Sequence, residues 1–139
     1  MIAAPELIET VLRLKQPYNV NAAAEVAALA SLDDLATARE RIDALVRERD
    51  RIAGLIEDTL PGFDVTPSRA NFVLCHLEGV SARDVHARLT QRGIMVRYFD
   101  TPLLQNHIRV SAGRPQDTDA LMAALREVLA ELTPTKAKS

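Results

Sequence analysis

The spacing of apolar residues changes at Pro61-Gly62, and that change limits most strongly what this chain can form. Ahead of it, Leu35, Ala38, Ile42, Leu45, Ile52 and Ile56 recur at intervals of three and four, the mark of one helix face. Only Arg49 breaks that stripe, and charges crowd the opposite side. Behind it come short runs of strand length, Asn71 to Leu77, Ile94 to Phe99 and His107 to Ser111. A chain that moves from helical to strand patterning part-way along has an α+β fold.

The helical part has three pieces. Pro5 suits a first helical position, with Leu7, Ile8, Val11 and Leu12 following at helical spacing. Gln16-Pro17-Tyr18-Asn19 interrupts it, because a proline disfavours helix in the residue before it. A second, alanine-rich helix spans roughly Asn21 to Ser31, and Ser31 with Asp34 reads as a capping box for a third helix reaching Leu60. One broken stripe suits a helix lying across a sheet better than a coiled coil. After the turn, Ser81 with Asp84 caps a short helix that Gly93 ends, and Pro115 opens a last helix carrying Leu121, Leu125 and Val128. The expected organisation is a helical interdomain arm over 1–61, a small β-α-β-β-α sandwich over 62–132 and a disordered tail over 133–139.

Composition narrows the function. The chain has 139 residues, a net charge of −2 and 47% hydrophobic residues, as an ordinary folded domain does. One cysteine, Cys75, leaves no internal disulfide and suits a reducing compartment. A pI near 5.9 with 4% aromatics lacks the basic surface of a nucleic-acid binder. Neither a long apolar run nor a signal-peptide start is visible, so the expectation is a cytoplasmic protein that meets no membrane.

Few residues can carry chemistry. The 5 glycines are too scattered for a phosphate-cradling loop, and His76, His86 and His107 fall on separate elements without metal-ligand spacing. Cys75 and His76 are adjacent on a strand and point to opposite faces, so Cys75 reads as a core residue. Arg97 and Arg109 are different: each is a cation set among β-branched residues that need a core. If their strands pair as a hairpin around 100–106, both guanidiniums share one face, where they could grip a carboxylate or phosphate. The plainer alternative is that both simply face solvent from an uncovered sheet surface.

Four motifs bear on that choice. Pro17-Tyr18-Asn19-Val20-Asn21, Pro67-Ser68-Arg69-Ala70-Asn71-Phe72, Gly93-Ile94-Met95-Val96-Arg97 and Ile108-Arg109-Val110-Ser111-Ala112-Gly113 resemble, in that order, the C-terminal part of the histidinol-phosphate aminotransferase family. The resemblance implies a pyridoxal-phosphate enzyme of fold type I, normally a homodimer, whose small C-terminal domain closes over substrate. It implies transfer of an amino group between histidinol phosphate and glutamate/2-oxoglutarate, in histidine biosynthesis. By the same resemblance Arg109 binds the substrate carboxylate, Arg97 joins it on the phosphate, and Tyr18, Asn19 and Asn71 lie in the vicinity of the active site. No catalytic residue and no metal ligand is expected in this chain.

What the resemblance does not find is a cofactor lysine. The chain has lysines only at 15, 136 and 138, none in the Ser-Lys context of the family, so the anchoring residue is expected upstream of Met1. The expectation is a C-terminal fragment, inactive alone, that needs a large domain or a homodimer partner. Two alternatives stand beside it. One is a related enzyme, such as a threonine-phosphate decarboxylase or an aromatic aminotransferase. The other is a non-catalytic module that binds an anion or a partner protein.

Overall fold

The computed structural model describes residues 3–15 and 20–133. They divide into two compact units, one ending at Arg39 and one starting at Glu40. Tyr18, Asn19 and the interruption they belong to lie outside the described residues, as does the tail beyond Thr133.

In the first unit, helix α1 spans Pro5–Leu14 and α2 spans Ala22–Asp33. Asn21 caps α2, its side-chain oxygen accepting from the Ala24 N–H at 2.8 Å. Neither helix buries a residue; Leu7, Leu12, Val26 and Leu29 all stay exposed. The expected Ser31–Asp34 capping box does not form. Ser31 sits inside α2, where its hydroxyl donates to the Ala27 carbonyl at 2.8 Å, the usual alternative for a serine within a helix. Asp34 itself takes up the Thr37 N–H at 3.2 Å.

Helix α3, Leu35–Thr59, runs on into the second unit. Its apolar stripe is buried only towards its C-terminal end: Ile42 is exposed, whereas Ile52 and Ile56 are fully buried. The arginine that breaks the stripe is explained by its contacts. Arg49 is buried, pairs with Asp50 at 2.7 Å and donates to the Ala70 carbonyl at 3.3 Å, tying the helix to the loop before the next long strand.

The sheet has four antiparallel strands: β1 Phe63–Thr66, β2 Phe72–Leu77, β3 Arg97–Tyr98 and β4 His107–Ser111, in the order β1-β2-β4-β3. Two further helices, α4 Ala82–Gln91 and α5 Pro115–Leu132, complete the unit. The fold is α+β, as expected, with one strand more than the spacing suggested. β1 is only four residues long, and its alternation, Phe63 and Val65 in, Asp64 and Thr66 out, is a weak signal. The Pro61-Gly62 turn leads into it. Gly62 has φ +84°, and its carbonyl takes the Glu78 N–H at 2.7 Å, so a Cβ there would meet the Glu78 carbonyl at 2.9 Å.

β3 is shorter than the expected Ile94 to Phe99. Gly93 closes α4 with φ +76°, and the Ile94 N–H turns back to the Leu89 carbonyl at 2.9 Å. Ile94 therefore serves the helix end and not the sheet. At the other end of α4 the expected cap is present, the Ser81 hydroxyl accepting from the Asp84 N–H at 3.3 Å. One face of the sheet, with Val65, Val73, Cys75, Leu77, Ile108 and Val110, forms a single core with Ile52, Ile56, Val85, Leu89, Leu121, Leu125 and Val128 from the helices. The opposite face, with Phe72, His76, His107 and Arg109, lies outside that core.

Candidate functional site

Register places the two arginines together. β3 and β4 pair with Arg97 directly opposite Arg109, and β2 and β4 pair Leu74 with Arg109 and His76 with His107. Because Val110 and Ile108 fill the core, the alternating residues His107, Arg109 and Ser111 turn to the open face. The hairpin expected around 100–106 is thus the one observed, and it brings both guanidiniums to one surface.

Six of the ten other arginines of the second unit are neutralised, Arg49 by Asp50, Arg51 by Glu48 and Asp119, Arg83 by Asp100, Arg88 by Glu131, Arg92 by Glu127 and Glu131, and Arg114 by Asp117. Arg41, Arg47, Arg69 and Arg126 have no ion pair among the described residues. Arg97 and Arg109 have no carboxylate partner among the described residues. Asp100, the acid closest to Arg97 in sequence, is held by Arg83 at 2.6 Å and by the Tyr98 hydroxyl at 3.3 Å. Like charges directly opposite on neighbouring strands are unfavourable. Here that cost is left standing, and the Nε of Arg109 is buried without any hydrogen-bond partner. Two forked donors that converge without an acceptor suit an anionic ligand.

Aromatic rings flank them, which the motif spacing did not bring out. The Arg109 guanidinium carbon lies 5.0 Å from the centroid of Phe72 and 5.8 Å from that of Phe99, and the Arg97 carbon lies 5.3 Å from Phe99. Two residues along β4, His107 stands 4.9 Å from His76, ring centre to ring centre. Burial, and then the neighbouring His76, hold His107 below the ordinary imidazole value, which favours its neutral form. His107 is half-buried, and its Nδ1 has no hydrogen-bond partner.

The remaining sequence candidates are placed plainly. Asn71 is exposed just before β2, and its carbonyl accepts from the Ala112 N–H at 2.8 Å, so its backbone extends the pairing beside the arginines. Cys75 points into the core on the opposite face from His76, fully buried, and desolvation pushes its thiol up to about 12. That is a packing residue, not a nucleophile. No group of three or more metal-ligating side chains occurs among the described residues. A cavity of about 290 Å³ lies between Ile52, the segment 93–96 and Thr118, and neither arginine lines it. The arginine pair belongs to an open surface.

A family model for aminotransferases of class I and II matches residues 1–125. This chain belongs to the class I and II aminotransferases. Among its relatives in that family, the histidinol-phosphate aminotransferase of Roseiflexus castenholzii is 47% identical over 126 residues, which is 88% of this chain and 34% of that protein. A chloroplastic histidinol-phosphate aminotransferase of Arabidopsis thaliana is 43% identical over 122 residues, 87% of this chain and 29% of that protein. The chain thus spans about a third of the length of the relatives it matches. Among solved structures, the histidinol-phosphate aminotransferase of Sinorhizobium meliloti, in complex with pyridoxal-5'-phosphate, superposes with a TM-score of 0.81 at 27% identity. That match covers 93% of this chain and 35% of the other. The enzyme of the same name from Clostridium acetobutylicum gives 0.80 at 25% identity, covering 91% and 39%.

Class I and II aminotransferases work with pyridoxal phosphate, whose aldehyde needs a lysine amine. Lys15, the one lysine among the described residues, caps the exposed C-terminal end of α1, and the second unit has no lysine among the described residues. The residues described therefore do not fit the cofactor, and no step through it is assigned to them.

Proposed function

We propose that this chain is the substrate-closing, C-terminal part of a histidinol-phosphate:2-oxoglutarate aminotransferase of histidine biosynthesis, a cytoplasmic enzyme that works as a homodimer. Residues 1–61 serve as its interdomain arm and 62–132 as its small domain. Arg109 receives the substrate carboxylate, and Arg97 joins it in gripping the phosphate. By the family resemblance, Tyr18, Asn19 and Asn71 belong to the vicinity of the enzyme's active site. The observation that carries this reading is the pairing of Arg97 opposite Arg109 with no carboxylate between them. The names of the relatives support the choice of substrate, and a bidentate guanidinium grip suits a phosphorylated amine.

On this reading the chain binds anions but does not transaminate alone, because the cofactor lysine is supplied by a region outside it. The test is to incubate the purified chain with pyridoxal phosphate, glutamate and 2-oxoglutarate, then reduce with borohydride and map adducts by mass. No turnover and no site-specific adduct is the expected result. Turnover, or a specific adduct on Lys15, would show the chain to be a complete small enzyme and overturn the proposal.

A further inference from the structure

Both guanidiniums lie near one aromatic ring. Phe99 lies 5.3 Å from the Arg97 guanidinium carbon and 5.8 Å from that of Arg109, while Phe72 meets Arg109 at 5.0 Å. The four side chains come from β2, β4 and the β3 hairpin, with Arg97 directly across from Arg109. Each of these distances is within the reach of a cation–π attraction.

We infer that Phe99 is a positioning residue of the anion site, holding Arg97 and Arg109 at a fixed separation through its ring. Two long, like-charged side chains on opposed strands would otherwise swing apart, since no carboxylate among the described residues pairs with either. A ring whose negative faces attract both cations draws them towards each other without neutralising either. A carboxylate in that place would hold them as well, but it would also occupy the donors that the ligand needs. Phe72 supports Arg109 from the other side, so Arg109 is held twice and Arg97 once. This inference rests on the anion-binding reading and assigns its geometry to an uncharged residue.

The experiment is a titration of the purified chain with inorganic phosphate, following the Nε–Hε signals of the arginine side chains by NMR. Four proteins are compared: wild type, Arg109→Ala, Phe99→Leu and Phe99→Tyr. Phe99→Leu keeps the bulk and removes the ring. It is expected to weaken phosphate binding about fivefold, the scale of one or two exposed cation–π contacts. Phe99→Tyr is expected to restore it, which a merely space-filling role would not require. A Phe99→Leu chain that binds phosphate like the wild type while Arg109→Ala does not would overturn the inference and leave the arginine site standing. If Arg109→Ala also binds like the wild type, the anion-binding reading falls, and this inference with it. The upfield ring-current shift of the Arg97 Cδ protons, which Phe99 alone flanks among the described rings, gives a readout independent of phosphate. Its persistence in Phe99→Leu would also contradict the inference.

Discussion

Arg97 and Arg109 face one another across the β3–β4 pair with no carboxylate between them, although six other arginines of the same unit are matched to acids. Replacing one of the two, Arg97→Thr, is expected to stabilise the chain by about 0.2–1 kcal/mol, the range for like charges directly opposite on neighbouring strands. The thermal midpoint should rise in low salt, and the gain should shrink as salt screens the pair. A lower midpoint in low salt would mean that Arg97 holds the hairpin together.

The core predicts ordinary costs. Leu125 is fully buried on α5, and Leu125→Ala should cost about 2–5 kcal/mol, while Ile56→Val should cost about 0.5–1.5 kcal/mol. Urea unfolding curves measure both. Equal, small effects would contradict a core in which α3 and α5 share one cluster.

Arg49 tests a different link. Its guanidinium joins α3 to the Ala70 carbonyl, two residues before Phe72 enters β2 beside Arg109. Arg49→Ala should cost about 0.5–1.5 kcal/mol, because it removes the hydrogen bond of a buried guanidinium to the Ala70 carbonyl. Arg41→Ala, on the exposed side of the same helix, should change stability by less than about 0.5 kcal/mol. Equal losses from the two would mean that Arg49 acts through helix propensity alone.

Two groups set the pH limits. His107 is held below its ordinary value of 6.5 by burial and by His76, so the unfolded chain takes up a proton before the folded chain does. Its contribution is therefore complete above pH 6.5 and is lost as pH falls below it. Arg109 on the same strand and Asp64, opposite His76 on β1, are the charged groups nearest to this pair by register. Cys75 works in the other direction. With its thiol raised from 9.0 to about 12, the folded chain keeps the proton that the unfolded chain releases, and stability falls as pH rises from about 9 towards 12. His107→Phe should flatten the acid limb, and Cys75→Ala the alkaline one, in stability measured against pH. Unchanged limbs would mean that other groups govern them.

Much of this was readable in the sequence, for physical reasons that differ by element. The α4 helix was legible because Ser81 and Gly93 mark its two ends with side-chain and backbone chemistry that few other residues supply. The arginine face was legible because strict alternation around Ile108 and Val110 leaves Arg109 only one side to occupy. What was missed depends on contacts remote in sequence. β1 forms because β2 is there to pair with it, and Ile94 leaves β3 because the end of α4 claims its N–H. Ser31 was misread because the same residue can cap one helix or bond back within another. Phe72 and Phe99 lie 27 positions apart and come together only around Arg109, so no local pattern announces them.

The central claim is that Arg97 and Arg109 act as one anion receptor. The measurement that tests it most directly is a calorimetric titration of histidinol phosphate into the wild-type chain and into the Arg97→Ala/Arg109→Ala double variant, with folding verified by circular dichroism. Saturable binding to the wild type that is lost in the folded double variant is the predicted result. Equal heats from the two chains would place the anion elsewhere and contradict the account.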